Sequence, residues 1–136
     1  MPPSDAPRQA VVRQWLDKAG SDLAAARYLL GGGAAYSATV AFHCQQAVEK
    51  ALKAYLSAQG APFPKTHDLD LLLERMAGIS PGLAQNLDEC SRLTPFGVEI
   101  RYPGDFPEIS QEEARHAVEL AEHALFSVSE ALGKAP

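Results

Sequence analysis

The chain has 136 residues, 46% of them hydrophobic but only 7% aromatic, and sets 12 Lys+Arg against 17 Asp+Glu for a formal charge of -5. That length encloses one hydrophobic core and leaves no room for a catalytic domain beside a separate recognition domain. The acidic balance excludes a surface that attracts polyphosphate everywhere and leaves only a local basic patch. No apolar run reaches the ~18 residues needed to cross a bilayer.

Met1 to Pro7 hold three prolines and an acidic residue in place of a basic and then apolar stretch, which argues against a secretory signal. A flexible start over 1–8 is expected, followed by one bundle over 9–134. In the first predicted helix, ending at Leu30, Val12, Leu16, Ala19, Leu23, Ala26 and Leu30 recur at spacings of four and three, with Trp15 beside the stripe. Gly31, Gly32 and Gly33 stop it. A second helix is predicted over Ala34 to Gln59, about 39 Å long. Tyr36, Val40, Cys44, Ala47, Ala51 and Tyr55 form its apolar stripe, widened by Phe42, Val48, Leu52 and Leu56. So broad an apolar surface must touch more than one neighbour, which makes this helix the centre of a bundle or a contributor to both core and subunit interface.

Gly60, Pro62 and Pro64 interrupt the pattern, and Thr66 is the candidate cap of a short third helix carrying Leu69, Leu72, Leu73 and Met76. Ser80-Pro81 then reads as an N-cap followed by proline at the first helical position. The fourth helix is expected to run through Leu83, Leu87, Cys90 and on toward Leu93, with Thr94-Pro95 ending or distorting it. Phe96 to Pro107 contains too many Gly and Pro residues for a regular element and reads as a loop. The last helix has the clearest start: Ser110 and Glu113 match a capping box, and Ala114, Val118, Ala121, Leu125, Val128 and Leu132 form its stripe. The fold class is therefore all-α, an antiparallel four- to five-helix bundle with an irregular loop before the last long helix.

Three segments carry chemistry. On the second helix, Gln45-Gln46-Ala47-Val48-Glu49-Lys50-Ala51-Leu52-Lys53 alternates polar pairs with small apolar residues. Glu49 and Lys53 have the spacing of a surface ion pair, and Gln46 and Lys50 share an adjoining strip. Such a run is either a solvated face or a polar groove, with amides for base or ribose edges and ammonium groups for phosphate. Lys65, His67, Asp68 and Asp70 gather at a helix start, where His67 either exchanges a proton oriented by Asp68 or completes a cap. In Arg101-Tyr102-Pro103-Gly104 the arginine suits a phosphate and the tyrosine suits a base, while the same four residues also suit a rigid turn.

Two isolated cysteines, Cys44 and Cys90, read as small buried groups in a reducing cytoplasm, and no zinc signature or phosphate-binding glycine loop is present. Neither a metal nor a cofactor is expected.

Trp15 with Ala19 and Asp22-Leu23, then Tyr36, Ala41-Phe42, the run Gln45 to Lys53, Thr66-His67-Asp68-Leu69 and Arg101-Tyr102-Pro103 together resemble a HEPN domain, the prokaryotic branch of the higher eukaryotes and prokaryotes nucleotide-binding family. The resemblance covers about Val12 to Leu132. It implies a helical bundle that forms a homodimer, binds nucleotide or RNA, and works beside a small nucleotidyltransferase-domain protein, encoded separately or fused. Many members resemble metal-independent ribonucleases, with an arginine followed after four to six residues by a histidine. Arg101 matches that arginine, but Phe106-Pro107-Glu108 stand where the histidine belongs. Half of the acid-base and phosphate-stabilising pair is thus missing.

The leading expectation is a cytoplasmic nucleotide- or RNA-binding module, the non-catalytic partner of a nucleotidyltransferase. Arg101 and Lys53 would contact phosphate, Tyr102 would stack, and Gln46 and His67 would supply directional hydrogen bonds. Two rivals remain open: a ribonuclease toxin of a toxin-antitoxin pair using Arg101 and His67, and a dimeric protein-interaction module that binds no nucleotide.

Overall fold

The computed structural model describes residues 5–97, 103 and 108–133. Helix α1 spans Asp5–Leu30 and begins ahead of the expected start near Arg8. A 3-10 turn, Ala34–Tyr36, leads into α2, Ser37–Ala58. Helices α3, Leu69–Ala77, and α4, Pro81–Asn86, follow, then a 3-10 segment, Asp88–Gly97, and finally α5, Gln111–Ala131. No strand occurs among the described residues.

Helix α2 is the centre, packed against α1, α3, α5 and the 3-10 segment. Val12, Leu16, Ala19, Leu23 and Ala26 of α1 are all buried, as their spacing requires. They meet a face of α2 in which Ala47, Ala51 and Ala54 alternate with Val48, Leu52 and Leu56. Small residues let neighbouring helices approach while each buried leucine still contributes about 1.5–3 kcal/mol of desolvation. Ala117, Ala121, Ala124 and Val128 of α5 complete the core.

Several local expectations are corrected. Tyr36 sits in the 3-10 turn and is exposed, so the apolar stripe of α2 starts at Val40. The fourth helix does not run on to Leu93: it ends at Asn86 with Leu87 buried at its C-cap, and a 3-10 segment that includes Pro95 brings Cys90 and Leu93 to the core. Phe96 and Gly97 belong to that segment, while 98–102 and 104–107 of the expected loop lie outside the described residues. The cap of α3 is Asp68, whose side chain accepts from the Asp70 N–H, and Thr66 instead accepts from the Asp68 N–H. This two-step arrangement fixes the chain on both sides of His67.

Two ends match their sequence signals closely. Ser110 accepts from the Glu113 N–H and Glu113 accepts from the Ser110 N–H, each at 3.0 Å, which closes the capping box. At the end of α2, Gly60 takes φ +67. Its N–H donates to the Ser57 carbonyl, and the Ala61 N–H donates to the Leu56 carbonyl. This left-handed terminus satisfies two end carbonyls and turns the chain toward the prolines.

Candidate functional site

The polar run of α2 is not a solvated face. With 100° per residue, Gln45, Glu49 and Lys53 form one strip that overlaps the arc of Leu52 and Leu56, and packing draws all five inward. The Glu49 side chain is 4% exposed and that of Lys53 9%, so the expected surface ion pair is a buried one. Lys53 Nζ donates to Glu49 Oε2 at 2.9 Å. The ammonium also lies 5.5 Å from the centre of the Trp15 ring and 6.0 Å from that of Phe63, close enough for cation-π attraction.

The other carboxylate oxygen serves the chain beyond the helix. His67 Nδ1 lies 2.7 Å from Glu49 Oε1, although 67% of the histidine side chain is exposed. Gln45, fully buried, donates from Nε2 both to Glu49 Oε1 and to the His67 backbone carbonyl, at 3.3 and 3.0 Å. Its amide oxygen accepts from Gln46 Nε2 at 2.7 Å. Three of the residues given a binding role from the sequence, Gln46, Lys53 and His67, are therefore joined through two that were given none, Gln45 and Glu49. The groups converge on an anion, and that anion is the protein's own. Lys53 neutralises it, which commits Lys53 inward, while the His67 ring faces outward.

Gly97 closes the inner side. A Cβ built there would stand 2.7 Å from Gln45 Cδ and Nε2, so only glycine admits the buried amide. Thr94 Oγ1 accepts from the Leu69 N–H at 3.2 Å, tying the 3-10 segment to the start of α3. The Arg101 and Tyr102 assignments lie outside the described residues.

A second arrangement lies where α1 meets α2. Asp22 accepts from Lys50 Nζ at 2.5 Å through one carboxylate oxygen, while its other oxygen lies 3.0 Å from His43 Nδ1. A cavity of about 340 Å³ between α2, the 3-10 segment and α5 is lined by Arg92, Phe96, Glu112, Glu113 and His116 among others. Its two carboxylates outweigh its one arginine, so it makes a poor anion site. The thiols of Cys44 and Cys90 are free and buried, and desolvation is the main cause that pushes each up to about 12. That argues against a nucleophilic role for either. Among the described residues no group of three or more His, Cys, Asp or Glu is placed to hold a metal, and no helix is long and apolar enough to cross a membrane.

The family model described as HEPN domain matches residues 12–130. The chain belongs to the HEPN domain family. Among solved structures, this HEPN chain is similar to TT1696 from Thermus thermophilus, with 28% identity and a TM-score of 0.71, over 88% of this chain and 96% of that one. It also shares its fold with ST0689, an archaeal HEPN homologue, at 21% identity and a TM-score of 0.66, over 89% and 97% of the two chains. No protein of curated function matches it. HEPN membership agrees with the sequence resemblance in both family and extent.

Proposed function

We propose that this HEPN protein is a nucleotide- or RNA-binding module, and that it acts as the non-catalytic partner of a nucleotidyltransferase-domain protein. The observation that carries the reading is an exposed His67 ring anchored to a buried Gln45–Glu49–Lys53 network. Burying two charges and an amide in an apolar bundle costs stability unless their lone pairs and protons are matched, and here part of that matching holds a segment outside the helix, Glu49 the His67 ring and Gln45 the His67 carbonyl. Arg101 adds the phosphate contact and Tyr102 the stacking surface, while Lys53 acts indirectly by balancing Glu49. The reading includes a cytoplasmic homodimer, in keeping with two unpaired buried cysteines. Titrating the protein with adenine and guanine nucleotides and short RNA at moderate salt tests it. Saturable binding that falls at least several-fold in Arg101→Ala is expected, and no saturable binding discards it.

A second reading, the metal-independent ribonuclease toxin, is favoured by one observation: a carboxylate 2.7 Å from His67 Nδ1 orients the ring as a general base. It requires RNA cleavage in the presence of chelator that is lost in both His67→Ala and Arg101→Ala. Cleavage that survives either change removes this mechanism.

A further inference from the structure

The network defines which hydrogen-bonding role His67 offers, and this narrows the class of group it recognises. The orientation of Gln45 is fixed without ambiguity, because its amide nitrogen faces two acceptors, the Glu49 carboxylate and the His67 carbonyl, while its oxygen faces the donor Gln46 Nε2. Gln45 therefore holds the backbone of His67 in place while Glu49 holds its ring. A loop side chain with 67% exposure is normally free to rotate, but this one is tied at two points to a buried helix.

Glu49 Oε1 already receives Gln45 Nε2 and can only accept, so the hydrogen between it and the imidazole sits on Nδ1. Lys53 occupies the other carboxylate oxygen, Oε2, so the ring meets Glu49 through Oε1 alone. In the neutral ring a hydrogen on Nδ1 leaves Nε2 as a lone pair. Nε2 makes no hydrogen bond among the described residues. A lone pair repels phosphate oxygens and accepts only from an O–H or N–H donor.

Resting on the nucleotide reading above, we propose that His67 Nε2 accepts a hydrogen bond from an uncharged donor of the bound nucleotide, either a ribose hydroxyl or an exocyclic base amino group. Glu49 and Gln45 are positioning residues for that contact. His67 is then a specificity element, and the phosphate contact falls to other groups.

Fluorescence-anisotropy titrations of oligo(rA), oligo(dA) and oligo(rU) at fixed salt, with the wild type and His67→Phe, test the proposal. If the donor is the 2′-hydroxyl, oligo(dA) binds roughly 2- to 12-fold more weakly than both RNAs, the loss of one net hydrogen bond. If it is the amino group, oligo(rU) is the weak one. In either case the gap closes in His67→Phe, which keeps a ring of similar size and removes the acceptor. Nitrogen-15 NMR of the unliganded protein gives an independent readout: a protonated Nδ1 and an unprotonated Nε2 at neutral pH are expected. A gap that persists in His67→Phe, equal binding of all three oligonucleotides, or a hydrogen on Nε2 in place of Nδ1 overturns the proposal and leaves the binding module standing. Failure of all three to bind the wild type removes the nucleotide reading itself.

Discussion

Helix α2 takes part in two groupings of the same three residue types, a carboxylate holding one lysine and one histidine, and they sit on different sides of the helix. In the first, Glu49 and Lys53 lie one turn apart on α2 and the histidine arrives from the loop before α3. In the second, Asp22 of α1 reaches across to Lys50 and His43 of α2. The Asp22 side chain keeps 14% exposure and His43 is 26% exposed, with its ring edge-on to Phe42. Here the carboxylate stays within reach of water and all three residues come from packed helices, so the group joins α1 to α2. In the Glu49 group the charges are deep and the ring is outside. Depth of the carboxylate thus distinguishes a helix-to-helix tie from a holder for a presented side chain.

The comparison breaks most sharply on removal of each carboxylate. Glu49→Ala leaves the buried Lys53 ammonium unpaired and strands the Gln45 donor, and should cost about 3–5 kcal/mol in urea unfolding. Asp22→Ala leaves Lys50 and His43 able to reach solvent and should cost about 1 kcal/mol. Equal losses would refute the distinction. Gly97→Ala comes next, because its methyl group displaces Gln45 from a site where that side chain makes three hydrogen bonds; about 1–3 kcal/mol is expected. Combined with Gln45→Ala it should show a coupling of at least ~0.5 kcal/mol in a double-mutant cycle, whereas Gly97→Ala with Asp22→Ala should be additive.

The capping box of α5 supplies the surface reference for both groups and the smallest effect. Ser110→Ala should cost about 1 kcal/mol at neutral pH. The hydrogen bond from the Ser110 backbone N–H, aided by the Ser110 side chain, holds the exposed Glu113 carboxyl below the usual glutamate range. A depressed folded value means that this contribution is present above the unfolded value and is lost as pH falls through the folded one. The difference between wild type and Glu113→Gln should therefore shrink as pH drops below about 4, measured by thermal unfolding across pH.

Much of the site was legible in outline. Gln46, Lys53 and His67 are linked, but through Gln45 and Glu49, whose run the sequence left open between a solvated face and a polar groove. The signal for Gln45 and Glu49 was their position on the same arc as Leu52 and Leu56, where polar groups at one helical spacing overlap apolar ones at another. Periodicity gives the direction of a side chain around its own helix and says nothing of what lies opposite. That Gly97 and the His67 carbonyl stand there is decided by segments 52 and 22 residues away from Gln45.

The sequence by itself determined the three long helices, most of their apolar stripes, the capping box at Ser110 and the family, because each follows from short-range spacing or from the order of residues along the chain. Tertiary structure decided which polar residues of α2 are buried and that Lys50 pairs with Asp22 of α1. It also decided that Asp68, in place of Thr66, caps α3. Those outcomes depend on distant segments excluding water from a particular strip of helix, and an ion pair acquires its weight only once that water is gone.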